Sequence, residues 1–238
     1  MHKLLFSALI LTLLLGCQNK KASENDSANA NSSIAQADSN KKTLEVDMAA
    51  IDKLISKAPD SMTVATIKTK FGNIEIELYT KDAPKTCENF VGLSLAGYYN
   101  NVIFHRISKG YVLQGGDPSG SGAGGTSIYG ATFEDELDPG SQSYKEGYQR
   151  GVVAMANRGP NTNSSQFFIM LADAPELPKN YTIFGKVIKG INVVDKIASG
   201  KIIPKLAPTD GKPVDPVAME QVKIEKRTKK LNSIFDAR

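Results

Sequence analysis

The chain has 238 residues and a net charge of +4, with 41% hydrophobic and 23% charged residues. This composition excludes wholesale disorder and allows one large or two small domains whose core needs no staples. The charge is spread out rather than gathered in a basic block, so no nucleic-acid partner is expected. Of the two cysteines and two histidines, Cys17 and His2 stand near the start, which leaves too few for an internal disulfide, a multi-histidine metal site or a zinc ribbon; no metal is expected.

Lys3 precedes an apolar run over 4–15, broken by Ser7 and Thr12. It is shorter than the roughly twenty residues that cross a bilayer and suits the apolar centre of a signal peptide. The run ends in Leu14-Leu15-Gly16-Cys17, which resembles a bacterial lipobox, where the cysteine becomes the lipidated first residue. The plainer alternative is a secretory signal that happens to contain a cysteine. The expectation is a signal peptide over 1–16 and a membrane anchor of acyl chains on Cys17. Gln18 stands where an Asp would mark inner-membrane retention, so the expected place is the bacterial cell envelope, on the outer membrane facing the periplasm.

A tether is expected over 17–61. In 22–40, fourteen of nineteen residues are Ala, Ser or Asn, with Ile34 the one large apolar side chain, so this stretch forms no core. Further on, Leu44, Met48, Ile51 and Ile55 fall at helical spacing. They predict a short amphipathic helix, packed on the domain or offered to a partner, and ended by Pro59.

The folded domain is placed at 62–227, with a basic tail over 228–238. Alternating runs at 63–69 and 73–78 flank Phe71-Gly72 and predict a hairpin. Asp82-Ala83-Pro84 opens a helix whose buried side takes Phe90, Val91, Leu93 and Leu95, ending at Gly97. Strands are predicted at 102–107 and 111–115 about Lys109-Gly110, then at 151–156, 166–171, 182–187 and 218–226, with a second helix at 191–197. Many short strands with two domain helices suggest an antiparallel barrel or sandwich.

Several residues invite a chemical reading and lose it. Residues 120–125 satisfy G-x-G-x-x-G, but Thr126-Ser127-Ile128-Tyr129-Gly130 begins no helix to receive a phosphate, leaving a glycine loop beside a groove. His105 is the one histidine of the domain, and alternation turns it away from Phe104 and Arg106, which reads as a satisfied structural histidine. Cys87 sits beside Glu88, which raises a thiol pKa, so it reads as helix packing. More telling are Arg106, Gln114, Asn157 and Gln166, which lie among Phe104, Tyr111, Val112, Met155, Phe167 and Phe168. A cation and neutral amides over an aromatic floor suit a neutral amide surface or chemistry without bond breaking.

Phe104-His105-Arg106-Ile107, Gln114-Gly115-Gly116-Asp117, Met155-Ala156-Asn157 and the run Gly159-Pro160-Asn161-Thr162-Asn163-Ser164-Ser165-Gln166-Phe167-Phe168 closely resemble the cyclophilin family of peptidyl-prolyl isomerases. Lys85-Thr86-Cys87-Glu88-Asn89-Phe90, Ser127-Ile128-Tyr129-Gly130 and Phe184-Gly185-Lys186-Val187 extend the likeness over about residues 63 to 226. The resemblance implies a mainly β fold, a closed eight-stranded antiparallel β-barrel capped by two α-helices, with a proline groove on its outer face. It implies Arg106 as the catalytic residue and Phe168, Val112, Tyr111 and Leu177 as the proline pocket. Gln114, Asn157 and Gln166 would orient the peptide backbone, Ala156 would line the neighbouring subsite, and Tyr181 would bind substrate where the family often has His.

The partners expected are proline-containing unfolded or flexible polypeptides, met by a monomer that needs no cofactor and assists folding outside the cytoplasm. The second hypothesis is a non-catalytic binding module or chaperone using the same groove. Val112 stands where the family often has Met, and Glu176 stands where it has a Trp or Phe at the groove rim; these departures bear on affinity and preference more than on the reaction.

Overall fold

The computed structural model describes residues 44–55, 58 and 60–229. The expected signal peptide, Cys17, Pro59 and most of the basic tail lie outside the described residues.

Helix α1 (Met48–Leu54) begins where Asp47 caps it, its carboxylate accepting the Ala50 N–H at 3.1 Å. Ile51 and Ile55 are buried in the main core while Met48 stays exposed. The helix expected at the end of the tether is thus packed on the domain. It meets α2 (Pro84–Leu95) at Gly92, where an added Cβ would stand 3.0 Å from Ile51 Cδ1 and Ile128 Cγ2. Ile51→Ala is expected to cost about 2–5 kcal/mol, the transfer and cavity cost of a core isoleucine. Urea unfolding of the full chain checks this; a loss under about 0.5 kcal/mol, a surface-like value, would show that α1 rests on the domain without entering its core.

Strands β1 (Ser61–Thr69) and β2 (Gly72–Leu78) form the expected hairpin, with Thr69 opposite Gly72 and Ile74, Ile76 and Leu78 buried. In α2, Pro84 takes the first turn, and Phe90 anchors the helix in a ring cluster 5.1 Å from Tyr99, 5.4 Å from Phe184 and 5.5 Å from Phe167. Leu95, expected on the buried side, is exposed in the last turn. The chain continues through β3 (Val102–Ile103), β4 (Arg106–Ser108), β5 (Val112–Gly115), the short α3 (Gln142–Glu146), β6 (Val152–Met155), β7 (Phe167–Met170) and β8 (Ile183–Lys189). Helix α4 (Ile191–Ala198), β9 (Ile202–Ala207), β10 (Asp210–Pro213), β11 (Ala218–Met219) and β12 (Gln221–Thr228) complete it.

Among the described residues, ten strands form one antiparallel sheet in the order β12-β1-β2-β8-β6-β7-β5-β4-β10-β9, and β3 pairs with β11 in a separate ribbon. The expected closed eight-stranded barrel is corrected here: the sheet is mainly β with a few helices, but its ladder does not run round into a ring. Two causes are visible. The predicted strand over 102–107 breaks at residues 104–105, where the Phe104 N–H turns to Val217 O at 2.9 Å, and the predicted strand over 218–226 breaks at Glu220. The outer edge of β4 is then taken by β10, which pairs Gly211 with Ile107 and Asp210 with Ser108. The hairpin of β9 and β10 and the helices α1 and α3 add to the two helices expected as caps, α2 and α4.

Candidate active site

Strand register gathers the candidate side chains on one face. Arg106 in β4 stands opposite Gln114 in β5, and Gln114 opposite Phe168 in β7; directly opposed residues share a face. The run of β7 is buried on both sides. Phe167 and Ile169 enter the main core, whereas Phe168 and Met170 join Val112, Tyr148, Val152 and Ile183 in a second apolar cluster.

That second cluster floors a cavity of about 190 Å³. Its apolar part comes from Tyr111, Val112, Ala156, Phe168, Leu177 and Tyr181, and its polar edge from Arg106, Gln114 and Asn157. Gln166, the tenth residue singled out from the sequence, lies instead in an adjoining groove of about 280 Å³ with Gly122, Gly124, Ala156 and Asn157. Tyr181 closes the apolar end, its ring edge-on to Phe168 at 5.5 Å. It is fixed by Tyr148, whose hydroxyl donates to Tyr181 O at 2.9 Å and accepts the Tyr181 N–H at 3.0 Å. Burial is the main cause that pushes the Tyr148 phenol up to about 12, so it stays protonated.

Arg106, Gln114 and Gln166 form one connected chain of hydrogen bonds anchored on Asp210, with Asn157 bonded separately. Asp210 in β10 takes two N–H groups of Arg106, Nε at 2.9 Å and Nη2 at 2.5 Å. Arg106 Nη1 donates to Gln114 Oε1 at 3.0 Å, and Gln114 Nε2 to Gln166 Oε1 at 3.0 Å. Gln166 Nε2 then donates to Gly124 O at 2.7 Å and Gly122 O at 3.1 Å. The Asn157 amide holds Asn180 O at 2.8 Å across the cavity mouth. Bonding to Arg106 is the main cause that lowers the Asp210 carboxyl below its ordinary value, so that carboxylate is ionised at neutral pH.

The glycine loop beside this edge is folded around Asp117. Gly116, at φ +90°, passes so close to the segment before β7 that a Cβ would lie 2.3 Å from Ser165 O, a conformation that favours glycine. Burial raises the Asp117 carboxyl. The Ser119 hydroxyl and the N–H groups of Gly124, Ser119 and Gly122 outweigh it and hold the group at about 2. A carboxyl lowered on folding stabilises above its ordinary pKa and loses that contribution as pH falls through the folded value. Between about pH 4 and pH 2 the protein is therefore expected to lose about 2 kcal/mol through this group. Acid titration of urea stability checks it, and Asp117→Asn should remove that component of the slope.

Two sequence readings meet different fates. Cys87 is buried in α2, with burial the first cause of a thiol pKa raised well above the usual value, as packing requires. His105 is buried, but neither ring nitrogen has a hydrogen-bond partner among the described residues. The expectation of a satisfied histidine is corrected: residues 104–105 leave the strand, and the ring turns under Gly122, whose Cβ would stand 3.6 Å from Nε2. A second cavity, about 330 Å³, is lined by Met62, Glu77, Tyr79, Asp82 and Glu146 among others. It is larger, but its charged groups are already engaged, Glu77 with Lys229 at 3.1 Å and Asp82 with the Ser143 N–H at 2.8 Å, and Arg106 is absent from it. Asp210 is the functional candidate that sequence reasoning missed; the one local signal was Asp210-Gly211, a hairpin dipeptide.

The family described as "Cyclophilin type peptidyl-prolyl cis-trans isomerase/CLD" matches residues 64–224. "Peptidyl-prolyl cis-trans isomerase-like 1" of Neurospora crassa is 49% identical over 148 residues, covering 62% of this chain and 84% of that protein. "Peptidyl-prolyl cis-trans isomerase CYP18-2" of Arabidopsis thaliana is 49% identical over 134 residues, 56% of this chain and 79% of that protein. "Peptidyl-prolyl cis-trans isomerase-like 3" of Gallus gallus is 52% identical over 132 residues, 56% and 80%. Among solved structures, a Cryptosporidium parvum cyclophilin-type isomerase has a TM-score of 0.62 at 39% identity, over 69% of this chain and 98% of its own. A second structure of that protein, in the presence of the dipeptide Ala-Pro, has a TM-score of 0.61 at 39% identity, over 68% of this chain and 98% of its own.

These relatives overturn the expected placement. They are fungal, plant and animal isomerases, so the bacterial envelope and the outer membrane facing the periplasm are withdrawn. Among the described residues no helix is long and apolar enough to cross a membrane.

Proposed function

This chain belongs to the cyclophilin-type peptidyl-prolyl cis-trans isomerase family, and from that premise we propose that its 190 Å³ cavity seats the proline ring of a flexible polypeptide while Arg106 turns the preceding bond. The chain is a peptidyl-prolyl cis-trans isomerase.

The reaction sets the requirements. An X-Pro bond prefers trans by only about 0.5–1 kcal/mol, but rotation destroys amide resonance and crosses a barrier of about 18–20 kcal/mol. No bond is broken, so neither nucleophile nor leaving group is needed. The catalyst must hold the ring, grip the carbonyl that rotates, and favour a twisted amide whose nitrogen has regained its lone pair. The cavity is smaller than the roughly 300–1,000 Å³ of a drug-sized site, a size that suits one side chain. Phe168, Val112, Tyr111, Leu177 and Tyr181 supply its apolar surface. Arg106 offers N–H donors at the polar edge, where the twisted amide nitrogen and its carbonyl would come. Such donors accelerate by being stronger partners for the transition state than for the planar amide.

The observation that carries this reading is a single guanidinium at the rim of an apolar pocket, fixed by Asp210 on one edge and Gln114 on the other. Gln114 and Gln166 extend the polar edge along the adjoining groove, where a peptide backbone has amides to pair, and Ala156 leaves room beside them. The Ala-Pro dipeptide of the Cryptosporidium relative indicates the ligand class to try. Titration with a short Ala-Pro peptide, followed by backbone amide shifts, is expected to move residues around Arg106, Gln114, Phe168 and Tyr181. Shifts confined to the cavity at Glu77, Tyr79 and Asp82 would overturn the assignment.

A further inference from the structure

We propose that Asp210 is a positioning residue, which aims the Arg106 guanidinium at the substrate carbonyl and does so from a hairpin outside every motif of the groove. The inference rests on the reading of Arg106 as catalytic.

Three observations lead to it. First, β10 meets β4 over only two residue pairs, Asp210 with Ser108 and Gly211 with Ile107. Asp210 therefore stands two residues along from Arg106 on the same face, a diagonal that long side chains span. Second, the pairing of β9 with β10 shifts register between Asp210 and Gly211, and such irregularities re-aim a side chain. Gly211 permits it, because a Cβ there would fall 2.0 Å from Ile203 O. Third, the contact is bidentate, with both carboxylate oxygens on the Nε and Nη2 edge, the geometry that fixes the plane of a guanidinium as well as its position.

The donor count gives the consequence. A guanidinium has five N–H groups; Asp210 holds two and Gln114 holds one. Two remain for the cavity that Arg106 lines, and their direction is set by the three already held. The ion pair is neutral as a whole, so substrate meets oriented N–H donors rather than a bare charge. Asp210→Asn removes the charge and turns one acceptor into a donor that faces an N–H group. Arg106 then keeps Gln114 but loses the second fixed edge. A pair whose side chains are 39% and 22% exposed contributes little to stability, so the effect should fall on turnover.

The test uses the full chain and steady-state kcat and KM for an Ala-Pro peptide, measured by exchange spectroscopy on wild type, Asp210→Asn, Asp210→Glu, Arg106→Ala and the double variant Arg106→Ala with Asp210→Asn. Far-UV spectra matching wild type qualify each variant for comparison. Asp210→Asn is expected to lower kcat about tenfold, equal to 1.36 kcal/mol, with KM within about twofold on the same logic of a transition-state contact. Asp210→Glu, which keeps both acceptor oxygens, should retain more activity than Asn. In the Arg106→Ala background the Asn change should cost nothing further, since the two residues act as one unit. Wild-type kcat in Asp210→Asn, a reversed order of Glu and Asn, or an equal drop in the Arg106→Ala background would each overturn the positioning role while leaving Arg106 catalytic. An active Arg106→Ala would instead remove the reading beneath it.

Discussion

Arg106→Ala is expected to lower kcat/KM for an Ala-Pro peptide by at least about 100-fold, a loss of about 2.7 kcal/mol of transition-state stabilisation, while the chain stays folded. Among the described residues Arg106 is the one cation lining the cavity, and the reaction offers no covalent step by which another group could compensate. The fold does not depend on it, because the side chain is 39% exposed and the apolar floor beneath is built from β5, β6, β7 and β8. The variant leaves Asp210 without its partner near the surface, a cost on the scale of an exposed ion pair, about 0–1 kcal/mol. A folded variant with near-wild-type turnover would move the site elsewhere and revive the chaperone reading of the groove.

Cyclosporin, the macrocycle that resembles a bound peptide in this family's groove, is expected to inhibit this protein weakly, and Glu176→Trp is expected to tighten it roughly 30- to 1,000-fold. In sensitive members a rim tryptophan donates its indole N–H to the ligand and covers apolar surface. Here Glu176 is exposed beside Leu177, a residue of the cavity wall. The pKa of Tyr111 is raised by burial first, then by the neighbouring Tyr181, with a smaller contribution from the charge of Glu176. An ionised carboxylate only accepts hydrogen bonds and resists burial under an apolar ring. One lost hydrogen bond and one buried unpaired acceptor amount to about 2–4 kcal/mol. Proline peptides should suffer less, because the pocket around Phe168 does not need the rim. An inhibition titration of wild type and variant decides it; tight wild-type inhibition would contradict the role given to the rim.

Of the groove residues, Arg106, Val112, Gln114 and Phe168 sit on strands; the others lie on loops and were legible through their likeness to the family's motifs rather than through alternation. Arg106, Gln114 and Phe168 each fall where a period of two turns them to the outer face, and strand pairing then brings them side by side. The hairpin about Phe71-Gly72 and helix α2 were legible for a like reason, local pattern agreeing with local geometry. Closure of the sheet was not, since it turns on where the backbone of residues 104–105 finds its partners: Phe104 N–H goes to Val217 O and His105 N–H to Gln114 O, one of them more than a hundred residues away in sequence. The same break separates Phe104, which alternation placed on the face of Arg106 and which enters the main core, from Arg106 at the groove. The hairpin of β9 and β10 carries Pro204 and Pro213, which argue against strands in any local reading, and with the hairpin unseen Asp210 had no place in the site. Ile51 is a further case: its spacing showed a helix, but only the cleft over Gly92 shows that the helix enters the core.

The most direct measurement of the central claim is the rate at which catalytic amounts of the full chain convert cis to trans Ala-Pro bonds in a protease-coupled assay. The rate constant is expected to rise in proportion to enzyme over many turnovers per molecule and to collapse with Arg106→Ala. Peptide bound in the groove with an isomerisation rate no faster than in buffer would contradict it.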